Sequence, residues 1–155
     1  MSSLLDIAHD ILASRASAEA TWVLRTDPGG RLRDDVEGAL VAIVDDEALV
    51  RRSLERLVKS AGYRGYGFAS AEDFLEFGDR EGTDCLILDL MLPGMTGLEL
   101  QQQLADEGWH IPIVFVSAHD RQQERTQALE RGAITYLVKP FDGKVLLDAV
   151  QSAVK

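Results

Sequence analysis

Asp45, Asp46, Asp89, Ser117 and Lys139 all stand at the ends of apolar runs. The runs are Val41-Ala42-Ile43-Val44, Cys85-Leu86-Ile87-Leu88, Ile113-Val114-Phe115-Val116 and Ile134-Thr135-Tyr136-Leu137-Val138. Three carboxylates, a hydroxyl and an ammonium are groups suited to handling a phosphoryl group. Clustered carboxylates repel unless a hard cation neutralises them. Mg2+ favours a few carboxylates, retained waters and a phosphate oxygen. A carboxylate such as Asp89 can attack a phosphoryl group and form an aspartyl phosphate. That transfer rests on positioning and charge neutralisation, which a divalent cation and the Lys139 ammonium would provide. Ser117 could donate a hydrogen bond to a further oxygen. Singly, each residue has a plainer role: Asp45, Asp46 or Ser117 as helix caps, Lys139 as an exposed lysine at a strand end. The conjunction argues for chemistry.

For these groups to meet, the runs must be neighbouring strands ending at one edge of a sheet. Residues 39–155 supply such a scaffold by alternating strand-like and helix-like stretches. Strands are expected at about Ala39–Val44, Tyr63–Phe68, Cys85–Leu88, Ile111–Val116 and Ile134–Val138, the second weakened by Gly65 and Gly67. Helices are expected at about Glu47–Ala61, from Ser70 through Phe77, and at about Leu98–Glu107, Asp120–Arg131 and Gly143–Val154. The first carries Leu49, Val50, Leu54, Leu57, Val58 and Ala61 on one face. Ser70 with Asp73 reads as a cap and its N3 carboxylate. Gly62, Gly108 and Gly132 stand where helices would stop. Continuous rather than alternating apolar strands indicate a sheet covered on both faces. The expected class is a three-layer α/β domain with a parallel sheet, whose ligand site lies outside the carboxyl ends of the strands.

These motifs resemble response-regulator receiver domains of bacterial two-component signalling over about residues 39–154. The resemblance rests on Val-Asp-Asp-Glu at 44–47, Leu-Asp-Leu-Met-Leu-Pro-Gly-Met-Thr-Gly at 88–97, Val-Ser-Ala at 116–118 and Tyr-Leu-Val-Lys-Pro-Phe at 136–141. It is similar above all to receivers that usually carry a helix-turn-helix output. The resemblance implies a flavodoxin-like (βα)5 fold with strand order 2-1-3-4-5. It implies Asp89 as phospho-acceptor, with Lys139 and Ser117 assisting. It implies Mg2+ (Mn2+ able to substitute) at Asp45, Asp46, Asp89 and the backbone carbonyl of Met91, Asp46 binding directly and Asp45 mostly through water. Ser117 and Tyr136 would be the switch residues. The phosphoryl donor would be a histidine kinase or histidine phosphotransfer protein, and the only catalysis expected is self-phosphorylation from a donor and slow autodephosphorylation. Met91 and His119 beside the site lack the carboxylate or amide that would best orient a water, so a long-lived phosphoryl state is expected.

The fourth helix of the alternation, Asp120 to Gln127, is nearly all polar and should be easily shifted. The family's signalling face of helix four, strand five and helix five would include Gln122, Arg125, Tyr136 and parts of Gly143–Lys155, presented to a downstream protein. The chain ends at Lys155, directly after the last receiver helix, so the expectation is a single-domain regulator acting by protein contact, or a piece of a longer protein. Residues 1–38 form a separate extension. A stripe of Leu4, Leu5, Ala8, Ile11 and Leu12 suggests an amphipathic helix over about Ser3–Leu24, which would mediate homodimerisation, dock on a partner, pack on its own domain, or stay partly disordered.

Composition bounds the rest. The chain has 155 residues, 46% hydrophobic and 27% charged, with a net charge of −10. Such acidity argues against direct nucleic-acid binding, which needs cations to displace counterions, and against an anionic membrane. One cysteine excludes an internal disulfide, and with no signal peptide or membrane-length apolar run the expected compartment is the cytoplasm. Two alternatives remain: a phosphate sink or phosphorelay intermediate, and a haloacid-dehalogenase-type phosphatase, which would need a second aspartate where Met91 stands.

Overall fold

The structure, a computed structural model, describes residues 38–77 and 80–154. The expected N-terminal helix and linker lie outside the described residues. Five strands, β1 (Leu40–Val44), β2 (Arg64–Phe68), β3 (Cys85–Asp89), β4 (Ile113–Ser117) and β5 (Thr135–Val138), alternate with five helices. The helices are α1 (Ala48–Ser60), α2 (Ala71–Leu75), α3 (Gly97–Asp106), α4 (Gln122–Glu130) and α5 (Gly143–Val154), and one 3-10 turn spans Arg80–Gly82. All strand pairs are parallel, in the order β2-β1-β3-β4-β5. This is the expected flavodoxin-like arrangement.

Alternate residues of each strand serve opposite layers, as the period of a pleated strand requires. Val41, Ile43, Cys85, Ile87, Val114 and Val116 face Leu54 and Val58 of α1 and Leu146 and Val150 of α5. Ala42, Val44, Leu86, Leu88 and Phe115 face Phe74 of α2, Leu100 and Leu104 of α3 and Ala128 of α4. Residues of β1, β3 and β4 are buried throughout. Cys85 is among them, and burial first, with the nearby Asp84 charge, pushes its thiol up to about 12.

Several expectations need correcting. Gly65 and Gly67 do not weaken β2; they admit α1. A Cβ at 65 would stand 2.7 Å from the Val58 side chain, and one at 67 would stand 2.8 Å from Arg51 Cγ. Leu49 does not share the buried face of α1: it is 77% exposed. α2 ends at Leu75, not Phe77, although Ser70 Oγ accepts from the Asp73 N–H as expected. β4 begins at Ile113, after Pro112, which has no N–H to give a ladder. α4 begins at Gln122 behind Arg121, which supplies no side-chain cap, so Ser117 does not cap that helix and Asp120 lies ahead of it.

Candidate functional site

Strand register delivers the acidic groups together. β1 and β3 pair Val44 with Leu88, so Asp45 and Asp89 leave the sheet side by side. β4 and β5 pair Ser117 with Val138, which brings Lys139 to the same edge beside Ser117. The Lys139–Pro140 peptide bond is cis, and the Lys139 N–H donates to the Ser117 carbonyl at 2.7 Å.

Asp45, Asp46 and Asp89 each present a carboxylate oxygen within 4.8 Å of the others. Asp45 is fully buried and Asp89 nearly so, while Asp46 is exposed. Both oxygens of Asp45 are engaged: Oδ1 accepts from the Glu47 N–H at 2.9 Å, and Oδ2 from Lys139 Nζ at 2.8 Å. Lys139 Nζ also lies 3.5 Å from Asp89 Oδ2 and 3.9 Å from Glu47 Oε1. Asp89 Oδ1 accepts from the Met91 N–H at 3.2 Å. Burial works against the Lys139 charge, but the Asp45 hydrogen bond and the carboxylates around it outweigh that and hold its pKa above the ordinary value. Asp89 is pushed up to about 6, chiefly by burial; Lys139 pulls it down and Asp45 pushes it further up. Three mutually repelling carboxylates with one ammonium form a donor set suited to a hard divalent cation.

Ser117 is buried, and its Oγ accepts from the His119 N–H at 3.1 Å. Tyr136 is 5% exposed. Its hydroxyl donates to the His119 carbonyl at 2.9 Å, its ring stacks on Phe115, and the Arg125 guanidinium lies 5.2 Å from the ring centroid. Tyr136 thus joins the turn after Ser117 to α4. Only Ala128 of α4 is fully buried.

Three further features shape the site without having been singled out in the sequence. Arg51 of α1 donates from Nη1 to the Asp45 carbonyl at 2.7 Å. Glu72 of α2 accepts the Met95 N–H at 3.1 Å, holding the loop that follows Asp89. Thr96 and Glu99 close a capping box at the end of that loop. Only the last has a sequence signature, Thr-x-x-Glu; Arg51 and Glu72 act across the fold and leave no local pattern.

Comparison with known proteins agrees with this fold. The family model of the response regulator receiver domain matches residues 41–151. Nodulation protein W of Bradyrhizobium diazoefficiens is 41% identical over 115 residues, covering 74% of this chain and 51% of that protein. Response regulator protein TmoT of Ectopseudomonas mendocina is 40% identical over 134 residues, covering 85% and 61%. The chain therefore spans roughly half to three-fifths of the curated relatives it matches. Among solved structures, the FixJ-N crystal structure superposes with a TM-score of 0.69 at 33% identity, covering 75% of this chain and 93% of that one. The BeF3-activated DrrB receiver domain gives 0.68 at 26% identity, covering 76% and 97%.

Proposed function

The chain belongs to the response regulator receiver domain family, and on that premise we propose that Asp89 is the residue that accepts the phosphoryl group. Receivers of this family are phospho-accepting signalling domains rather than enzymes, and they take the group from histidine kinases or phosphotransfer proteins. The observation that carries the assignment is the juxtaposition at Asp89: two further carboxylates within 4.8 Å and the Lys139 ammonium at 3.5 Å.

In the proposed reaction an Asp89 oxygen attacks the donor's phosphorus. A new O–P bond forms as the P–N bond of a phosphohistidine breaks, and the electron pair leaves with the imidazole nitrogen. Mg2+ would be held by Asp46, Asp89 and the Met91 carbonyl, and it would neutralise the phosphoryl oxygens. Asp46 suits direct ligation because it is exposed; Asp45, with both oxygens already engaged, suits contact through water. Ser117 turns its hydroxyl from the His119 N–H toward a phosphoryl oxygen, and Lys139 shares its three donors between Asp45 and another.

The added charge then acts on the turn from Ser117 to His119, on Tyr136 and on α4. The α4–β5–α5 face is the proposed contact for a downstream protein. Met91 and His119 do little to orient a hydrolytic water, so the phosphoryl group persists. Neither the geometry nor the family match supports the phosphatase or phosphate-sink readings.

The deciding experiment is intact-mass analysis after a small acyl-phosphate donor with Mg2+. The wild type gains one phosphoryl group and Asp89→Asn gains none. Full labelling of Asp89→Asn would sink the assignment.

A further inference from the structure

Asp45 is held at every polar atom it has. Its N–H donates to the Phe68 carbonyl at 3.1 Å, and its carboxylate oxygens take the Glu47 N–H and the Lys139 ammonium. Its carbonyl accepts from Arg51 Nη1 at 2.7 Å, a bond that reaches back six residues from α1 and is partly shielded from water. A short bond from a charged donor is a strong one. It is made to the peptide unit that joins Asp45 to Asp46. That unit is planar, so the direction of the Asp45 carbonyl fixes where the Asp46 Cα stands. Asp46 is the exposed carboxylate of the three, and the placing of its Cα decides whether it reaches a shared cation.

The path of Arg51 is built into the neighbouring strand. Its stem crosses β2 at Gly67, where a Cβ would stand 2.8 Å from Arg51 Cγ and 2.9 Å from Cδ. A side chain at 67 would push the stem off this course.

We propose that Arg51 is a positioning residue for Mg2+: by gripping the Asp45 carbonyl it aims Asp46 at the cation. The inference rests on the reading of Asp45, Asp46 and Asp89 as the Mg2+ site. Its sign sets it apart from a simple charge effect. A guanidinium beside a cation site repels the cation, so through charge alone its removal would tighten Mg2+ binding. Through the peptide unit its removal weakens binding, as losing a group that orients a metal ligand does.

The test titrates MgCl2 into the full chain and follows backbone amide NMR shifts of residues 44–47 and 89–92. Arg51→Met keeps the stem and deletes the donor, and its dissociation constant for Mg2+ should rise about tenfold. Arg51→Lys, which restores a charged donor, should recover part of that loss. Arg52→Met removes an exposed cation one residue along α1 and should bind Mg2+ within about twofold of the wild type. Gly67→Ala keeps the guanidinium but displaces its stem, and should weaken Mg2+ as well; it decides the matter if Arg51→Met does not fold. With a small acyl-phosphate donor, Arg51→Met should need more Mg2+ yet reach the wild-type rate once Mg2+ saturates. Unchanged or tighter Mg2+ binding by Arg51→Met would overturn the proposal, as would an equal loss in Arg52→Met or a lowered rate at saturating Mg2+. A wild type whose amides ignore Mg2+ would remove the metal site and the positioning role together. The titration involves no phosphoryl group, so a failure of Asp89 to accept one would show separately, in the mass assay.

Discussion

Lys139 Nζ lies 2.8 Å from Asp45 Oδ2 and 3.5 Å from Asp89 Oδ2, so its tighter partner is the buried acid of the pair and not the proposed acceptor. One ammonium thus serves two ends: it balances the charge of a fully buried carboxylate, and it stands ready for the incoming group.

Replacing it should therefore cost stability as well as chemistry. Lys139→Met leaves Asp45 buried without its cation, and a loss of about 3 kcal/mol is expected. Adding Asp45→Asn should restore much of that. Phosphoryl acceptance from a small donor should slow at least about a hundredfold. Urea denaturation and timed intact-mass measurements check the two arms separately; a Lys139→Met protein as stable as the wild type would refute the first.

Gly97 opens α3 directly against the acceptor. A Cβ there would stand 2.5 Å from the Asp89 carbonyl oxygen and 3.0 Å from Leu90 Cα. Both are backbone atoms that cannot swing aside. Gly97→Ala should destabilise the domain by about 2 to 3 kcal/mol and slow phosphorylation by displacing Asp89. Thermal melts with the same mass assay measure both, and an unchanged melting temperature would count against this packing.

The raised pKa of Asp89 has a definite sign in stability. The carboxyl titrates at about 6 in the fold, chiefly through burial, and at about 3.9 when unfolded. The folded state therefore holds the proton more tightly. Its stabilising contribution is complete below about pH 4 and is lost as pH rises through about 6. Above that window the ionised acid costs the fold about 2 to 3 kcal/mol. In chelator-treated buffer Asp89→Asn should be more stable than the wild type at about pH 8, with the gain gone near pH 4. Denaturation curves across that range test it. Mg2+ should narrow that difference by stabilising the wild type, by about 1.4 kcal/mol at ten times its dissociation constant and about 2.7 kcal/mol at a hundred times.

Tyr136 ties the site to its proposed output face. Tyr136→Phe removes the hydrogen bond to the His119 carbonyl but keeps the ring against Phe115, and should cost about 1 kcal/mol. Amide exchange across residues 117–122 should quicken while Mg2+ affinity stays unchanged. In the wild type a beryllofluoride mimic of the phosphoryl group should alter exchange between residues 117 and 136; identical protection with and without it would remove the switch.

Much of this arrangement is legible in the residues because strand register and apolar runs do the positioning. Asp45 and Asp89 meet since each follows a buried run whose last residues pair, and a run of that kind shows in one dimension. Except for Leu49, the misplaced features depend on what lies across the fold. Leu49 stands five and nine residues before Leu54 and Val58, about 140° and 180° away around a helix of 3.6 residues per turn, so its exposure follows from spacing once Val50 rather than Leu49 is taken as the start of the buried stripe. Gly65 and Gly67 read as breaks in a strand until α1 is seen resting on them. Arg51 and Glu72 reach backbone groups of distant loops, a pairing that no local pattern encodes. Thr96 and Glu99, by contrast, carry the local Thr-x-x-Glu signature of a capping box.

The burial of Cys85 has a practical consequence. It is the sole cysteine of the chain, and with its thiol pushed up to about 12 only about one molecule in a hundred thousand carries the reactive thiolate at neutral pH. Maleimide dyes and spin labels should pass it by in the folded protein. A cysteine introduced on α4 would then take the label alone, leaving the wild-type core in place while the helix is watched.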